Sequence, residues 1–576
     1  MQKHWFIKQG PSKQIISTIE KELKVSPLMA SILHQRGLTT HAEICSFFNP
    51  TLEQLHDPFL MFGMKEAVSC LEKHIQNKNK ILIYGDYDVD GTTAVALIIE
   101  FLKSYADVEY YIPDRHTEGY GISFQGVEYA KNAGCNLIIA LDCGVREVEK
   151  IKHAKELGLD VIVCDHHNPG DELPNCIVLD PKQAQCTYPY KELCGCGVGF
   201  KLLQAWLQFK NEDQSKLYES LDLVAIAIGA DIVPITGENR VLCSLGLKRL
   251  NLQKREGINA LIASAKKTYP FSLSDIVFTI APRINAAGRL SSGTRAVELL
   301  LSTNKNVANE IALEIDAYNT ERRELDAETT AEAYELITSD ANFETQKSTV
   351  VYNPNWHKGV VGIVASRLIE KKYRPTIVLT ESNGVATGSA RSVASFNIYN
   401  AIESCTELLT QFGGHHHAAG LSLPLENIEA FKIQFDTYVQ QHIKPIDEYE
   451  ELVIDLEIKL HELFLAGESQ FQVPRLYNMI KELEPFGPCN DKPVFCARNV
   501  YAENQQVLKD FHLRFALIDP SSGVKLQAIG FNMAEKFNII ASGCAFDCAF
   551  TLETNTWNDK TTLQVQIRDI QEPGLM

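Results

Sequence analysis

Lys80-Ile-Leu-Ile-Tyr84-Gly-Asp86-Tyr-Asp88-Val-Asp90-Gly91 sets a short apolar run against three alternating carboxylates and a glycine. Side chains two apart in an extended chain share a direction, so Asp88 and Asp90 can address one site. Gly91 lets the chain turn sharply into the amphipathic stretch from Thr92 to Tyr105. Taken alone, these residues are equally a strand-end turn and a helix N-cap, and their surroundings separate the two readings. The same unit recurs downstream. Apolar runs at Val108–Ile112, Leu137–Leu141, Val161–Cys164 and Cys176–Leu179 alternate with helical spacing over Phe124–Asn132 and Val145–Leu157. Strands apolar on both faces that alternate with helices predict an α/β domain built on a parallel sheet.

In open parallel sheets, ligands gather beyond the carboxyl ends of the strands. Four of the five runs end in or beside polar residues there: Asp86/Asp88/Asp90, Asp114/Arg115, Asp142, and Asp165/His166/His167. Asp142, followed by Cys143-Gly144, is by itself an ordinary turn former. Asp165-His166-His167 says more, because one apolar strand delivers three adjacent titratable groups to a single rim. Asp231 follows the apolar run Leu223 to Ile228 and can enter the same cleft from another strand or helix end. Carboxylates with His, and no CxxC pair, make an O/N site suited to Mn²⁺ or Mg²⁺ rather than to structural zinc. Two such ions can bridge a phosphate, one activating an attacking water and the other stabilising the leaving oxygen. Phosphoester hydrolysis is the chemistry this set fits.

A chain of 576 residues exceeds one ordinary core, so several domains are expected. A second α/β stretch is read from Leu221 to Ser302, then a long connector helix from Asn304 to Thr338, free of Pro and Gly. Strands at Thr349–Tyr352 and Thr376–Thr380 flank a helix from Val360 to Lys371, ahead of the Gly-rich loop Phe412-Gly-Gly-His-His-His-Ala-Ala-Gly420. This is a smaller α/β domain. Alternation at Phe511/Leu513/Phe515/Leu517, Val524/Leu526/Ala528 and Leu563/Val565/Ile567 predicts a β-barrel over about 490 to 573, of OB-fold size. The 15 Cys are scattered and odd in number, which argues for reduced thiols rather than a disulfide framework. With neither a membrane-length apolar run nor a secretory signal pattern, a cytoplasmic address is expected. A net charge of −18 speaks against long-range attraction of nucleic acid, although bound cations offset an Asp-rich site locally.

The order Asp88-x-Asp90-Gly91, Asp142, Asp165-His166-His167 and Asp231 resembles motifs I to IV of the DHH phosphoesterase superfamily, and Gly413-Gly414-His415 resembles its second-domain (DHHA1) signature. Tyr111-Ile-Pro-Asp-Arg115, Glu118-Gly-Tyr-Gly121, Ala281-Pro-Arg-Ile-Asn-Ala-Ala-Gly-Arg289 and Gly388-Ser-Ala-Arg391-Ser392 are similar to the RecJ branch, a resemblance covering nearly the whole chain. It implies metal ligation by Asp88, Asp90, Asp142, His166 and Asp231, with His167 and Asp86 at the same centre as ligand or catalytic aid. Tyr84 stands where some members carry a His. Arg283, Asn285 and Arg289 would contact phosphate oxygens, Ser389 and Arg391 the terminal 5′-phosphate, and Arg115 the nucleotide near the scissile bond. His415, in the Gly413-Gly414 run, would stabilise charge beside the scissile phosphate.

The organisation this implies is an N-terminal helical segment (1–75), a DHH catalytic domain (76–302), a connector helix (303–345), a DHHA1 substrate-binding domain (346–445), a linker (446–489) and an OB-fold domain (490–576). The expected activity is 5′→3′ exonuclease digestion of single-stranded DNA in repair and recombination by a monomer using two Mn²⁺ or Mg²⁺ ions. A helicase and a single-stranded-DNA-binding protein are its implied partners. Two other readings stand beside it. A phosphodiesterase for very short RNA or cyclic dinucleotides needs neither connector nor barrel, and a non-enzymatic DNA-binding scaffold would have lost acids that this chain keeps.

Overall fold

Counting strands from β1 (Lys3–Ile7), the five apolar runs become β2 (Lys80–Gly85), β3 (Val108–Tyr111), β4 (Cys135–Leu141), β5 (Asp160–Cys164) and β6 (Ile177–Leu179). They form one parallel sheet in the order β3-β2-β4-β5-β6. The structure is a computed structural model that describes residues 3–115, 117–465, 467–558 and 560–574. It divides the chain into two compact units, one of Asn49–Arg323 with Glu484–Asp491, the other holding the remaining described residues.

In the first unit the strand order reverses between β2 and β4, which opens the crevice where α/β sheets bind ligands. Helices α1 (Val89–Leu102), α2 (Gly195–Lys210) and α3 (Leu221–Ala230) cover one face, burying Val95, Ile98, Phe200 and Ile226 in the main core. The stretch from Leu221 to Ser302, expected to mix strands and helices, holds helices joined by turns and no strand. Its ten-residue apolar opening, Leu221–Ala230, has helix length, and burial from Leu221 to Gly229 hides the period that would have said so. After it come α4 (Ala281–Leu290), entered through the π-helical turn Ile276–Ile280, and the long α5 (Lys305–Thr338).

The second unit contains a sheet of β7 (Thr349–Tyr352), β8 (Thr376–Ser382), β9 (Val385–Arg391), β10 (Gln411–His415) and β11 (Ala418–Leu423), ordered β10-β11-β9-β8-β7. Helix α6 (Val361–Lys371) packs on β8 and β9. The Gly-rich run read as a loop is instead a hairpin, with Gly413 opposite Gly420 and His415 opposite Ala418.

Past β12 (Glu450–Ile454) and β13 (Leu456–Glu457), five strands close a barrel: β14 (Phe495–Leu508), β15 (His512–Ile518), β16 (Lys525–Gly530), β17 (Phe546–Trp557) and β18 (Lys560–Gln571), with β14 pairing β17. The N-terminal segment is not wholly helical, because β1 pairs in parallel with β12 and the Trp5 indole N–H donates to Asp569 Oδ2 at 2.8 Å. All fifteen cysteines are free thiols. Among the described residues no helix is long and apolar enough to cross a membrane.

Candidate active site

Pairing register builds the site. Gly85, Leu141, Cys164 and Leu179 stand side by side at the carboxyl ends of β2, β4, β5 and β6. The next residue in each strand is an aspartate: Asp86, Asp142, Asp165 and Asp180. Four carboxylates therefore cross the rim in a row, all buried. Asp180 is absent from the sequence-based set, although its place after the fifth apolar run is the same signal that singles out Asp142.

Asp88 caps α1 by accepting from the Gly91 N–H at 3.0 Å, and Asp90 lies in the first turn. Both Asp90 oxygens accept from the amino end of α2, Oδ2 from the Gly195 N–H at 2.6 Å and Oδ1 from the Cys196 N–H at 2.7 Å. That is the favoured seat for an anion. Asp142 holds a left-handed backbone (φ 59°), which Asp tolerates better than most residues. Gly195 packs so closely that a Cβ there would lie 2.5 Å from the Asp142 Cβ. Asp231 caps the carboxyl end of α3, which settles its origin as a helix end.

These groups converge on His166, whose Nε2 lies 3.2 Å from Asp142 Oδ1, 3.5 Å from Asp231 Oδ2 and 3.9 Å from Asp90 Oδ2. His166 Nε2, Asp142 Oδ1, Asp231 Oδ2 and Asp86 Oδ1 are buried without a hydrogen-bond partner. Buried polar atoms in native proteins are nearly always satisfied, so this convergence fits a hard divalent cation. Among the described residues two donor groups lie at this centre, Asp90/His166/Asp231 and Asp142/His166/His167, sharing His166. Tyr84 is outside both. Its hydroxyl donates to the Gly121 carbonyl at 3.0 Å and accepts from the Ser123 N–H at 3.1 Å, and its ring stacks on Tyr111.

Burial, then charge on neighbouring aspartates, drives the carboxyls upward: Asp90 to about 7 and Asp231 to about 9, with Asp86 and Asp142 well above the usual range. Asp180 rises to about 7, first through burial. Asp165 differs: burial alone would raise it, but the His167 hydrogen bond and charge hold it at about 2. Burial would lower His167, yet the hydrogen bond it donates to Asp165 keeps it above its ordinary value.

A raised carboxyl pKa means tighter proton binding in the folded state, so stability falls as pH rises through the folded values. His166 opposes this, lowered to about 3 by burial and then by charge on His167, but it has finished titrating by about pH 7. The metal-free protein is therefore expected to lose melting temperature as pH rises from about 7, where the opposing His166 contribution has ended, to about 9, where Asp231 ionises in the folded state. Saturating Mn²⁺ should flatten that slope. A flat profile in chelator, measured by scanning calorimetry, would count against the cluster's charge.

Of the expected phosphate contacts, Arg115 lies over the Tyr87 ring at 4.9 Å, and its charge reaches Asp86. Arg289, in α4, acts electrostatically on Tyr87, and Asn285 is half-buried on the same helix. Arg283 is engaged elsewhere, donating from Nε to Asp316 of α5 at 2.8 Å and from Nη1 to the Thr279 carbonyl at 2.8 Å. In the second unit, cross-strand rows join Ser389 to Gly420 and Gly413, and Arg391 to Ala418 and His415. Residues directly opposite in a sheet share a face, so Ser389, Arg391, Gly413 and His415 belong together, with Gly414 between the last two.

Three family models match the chain: the DHH family N-terminal domain over residues 80–228, the DHHA1 domain over 345–441 and the RecJ OB domain over 454–569. The sequence is 37% identical over 573 residues to the single-stranded-DNA-specific exonuclease RecJ of Bacillus subtilis (strain 168), spanning 97% of this chain and 70% of that protein. Among solved structures it is similar to RecJ in complex with Mn²⁺ from Thermus thermophilus, with a TM-score of 0.84, 28% identity, and coverage of 99% of this chain and 80% of that one. The Mg²⁺ complex from the same organism matches with a TM-score of 0.78 and 26% identity, covering 99% of this chain and 78% of that one.

Proposed function

The chain belongs to the RecJ family of DHH phosphoesterases, and on that premise we propose that it is a metal-dependent exonuclease degrading single-stranded DNA from the 5′ end. The observation that carries this reading is the convergence of Asp90, Asp142 and Asp231 on His166, with unpartnered donor atoms facing one another. When bound there, Mn²⁺ or Mg²⁺ lowers the pKa of an attacking water and neutralises charge on the phosphate and leaving oxygen.

In this reading the ligand set is Asp88, Asp90, Asp142, His166 and Asp231. The amino end of α2 orients Asp90, and the strand register presents Asp142. Asp86 and His167 serve beside them. Arg115, Asn285 and Arg289 meet the backbone near the scissile bond, and Arg283 acts through its bond to Asp316. Ser389 and Arg391 take the terminal phosphate, and His415, with Gly413 and Gly414 beside it, stabilises charge at the scissile phosphate. The barrel adds a surface on which following bases stack. We place the enzyme, with its free thiols, in the cytoplasm as a monomer working in repair and recombination with a helicase and a single-stranded-DNA-binding protein.

Digestion of a long single strand labelled at either end, with Mn²⁺, tests the reading. The 5′ label should leave first, as mononucleotide. Release of the 3′ label first would overturn the polarity. Faster cleavage of two- or three-nucleotide substrates would favour a short-oligonucleotide phosphodiesterase, and binding without nucleotide release would favour a scaffold.

A further inference from the structure

The segment Glu484-Pro-Phe-Gly-Pro-Cys-Asn-Asp491 straddles the boundary between the stretch read as a linker and the barrel, yet it returns to the first unit while the residues on either side belong to the second. It lies as a strap across the chain that leaves α3. The Ile235 N–H donates to the Pro488 carbonyl at 2.8 Å, and Arg240 Nη2 donates to the Glu484 carbonyl at 3.1 Å. Gly487 packs so tightly here that a Cβ on it would lie 2.6 Å from Ile235 Cγ1. Within the strap, Gly487 and Asn490 exchange backbone hydrogen bonds, and the buried Asn490 side chain donates to the Pro485 carbonyl at 2.9 Å.

Between α3 and the strap stands Asp231. Its N–H donates to the Ala227 carbonyl at 2.9 Å, which fixes it to the helix end. Further along, Ile235 is fixed to the strap, and the Pro234 carbonyl accepts from Asn239 Nδ2 at 3.1 Å and from the Tyr190 hydroxyl at 3.2 Å. The bend between these anchors falls on Ile232, which is left-handed at φ 57°. That conformation strains a β-branched residue, and Ile232 is 64% exposed, so packing of its own side chain does little to offset the strain. The anchors on either side impose it.

We propose that the strap is a positioning element of the metal centre: by holding Ile235 it keeps Ile232 left-handed, and so aims the Asp231 carboxylate, 3.5 Å from His166 Nε2, at the cation. This rests on the nuclease reading above, in which Asp231 is a ligand, and makes that ligand depend on residues far later in the chain. With the strap released, Ile232 relaxes to an ordinary conformation and the carboxylate turns away from His166. The competing role is a cover that merely shields Ile235 and Leu273. Glycine separates the two, because it takes the left-handed conformation without strain and needs no strap to hold it there.

Calorimetric titration of the whole chain with Mn²⁺ tests this without turnover. Gly487→Ala, whose methyl has no room against Ile235, should weaken Mn²⁺ binding on the order of tenfold to a hundredfold, the usual cost of losing a group that supports a ligand. Asn490→Ala loosens the strap without adding bulk, and should weaken binding in the same direction. In both variants the Ile235 amide of the metal-free protein should exchange with solvent faster than in wild type. Ile232→Gly alone should bind Mn²⁺ within about twofold of wild type. Added to either strap variant, it should restore most of the lost affinity, because the strap acts through that one residue. Losses that Ile232→Gly leaves unrepaired would make the strap a structural cover and overturn the proposal. Wild-type Mn²⁺ affinity in both strap variants would overturn it as well. A wild-type protein that binds no Mn²⁺ would instead defeat the nuclease reading, and this inference with it.

Discussion

Asp142→Asn is expected to stop nucleotide release, a loss on the order of a thousandfold in kcat/KM or about 4 kcal/mol of transition-state stabilisation, while making the metal-free protein more stable. The first half follows from geometry, since Asp142 Oδ1 is the oxygen nearest to His166 Nε2, at 3.2 Å, and has no hydrogen-bond donor of its own. The second follows from electrostatics. Burial and then charge on Asp90, Asp88 and Asp231 push the Asp142 carboxyl well above its ordinary pKa, so the folded state resists ionising it. An amide of the same shape removes that repulsion and tolerates the left-handed backbone at φ 59°. A gain of about 1 kcal/mol is typical when such a functional compromise is removed, and in a unit of this size it reads as roughly 2–4 °C in melting temperature. Asp142→Ala separates the causes, because alanine removes the charge but strains the backbone, so its gain should be smaller or reversed. Added Mn²⁺ should raise the melting temperature of wild type and leave Asp142→Asn nearly unmoved. Retained activity with lowered stability would show that Asp142 is a structural turn residue.

Most of the sheet was legible because strands buried on both faces are short, apolar and punctuated, and β2, β4, β5 and β6 have all three marks. Their carboxyl ends then located Asp86, Asp142 and Asp165-His166-His167 without knowledge of the register. Asp180 carried the same signal, as the residue after the fifth apolar run, and the pairing of Cys164 with Leu179 brings it into line with the other three. Asp231 was found as an acid after an apolar run, but helix and strand look alike in a segment buried all round, so its element was undetermined. The His415 hairpin was hidden by its glycines, which read as loop although here they pair across β10 and β11. Strand β1 was not legible at all. Its five residues pair with Glu450–Ile454, and no local pattern reports a partner so distant in the chain. Arg283 shows the limit for side chains, because its composition suited phosphate whereas its bond to Asp316 depends on where α5 runs.

Arg391→Ala is expected to erase the preference for a 5′-phosphorylated strand over one ending in a 5′-hydroxyl, by about tenfold to a hundredfold, with the loss on KM. Arg391 Nη1 donates to Ser389 Oγ at 2.7 Å and to the Ala390 carbonyl at 2.8 Å, which holds the guanidinium against the sheet. Beside it begins α6, whose cap residue Val360 offers no side-chain acceptor to the first-turn N–H groups. Gly362 in that turn packs close to both side chains, since a Cβ there would lie 3.0 Å from Arg391 Nη2 and 3.1 Å from Ser389 Oγ. In the proposed reading, guanidinium, hydroxyl and the positive end of a helix would together suit a compact dianion. A terminal phosphate monoester carries a second negative charge that an internal diester lacks, so such a site would tell an end from the middle of a strand. Charge-assisted hydrogen bonds of this kind contribute about 1.5–3 kcal/mol, which sets the expected range. Arg391→Lys should recover part of the preference, because an ammonium keeps the charge but not the planar fork. Kinetics on matched 5′-phosphate and 5′-hydroxyl strands decide the matter. Equal losses on both would place Arg391 along the body of the strand and leave the 5′ end to be recognised elsewhere.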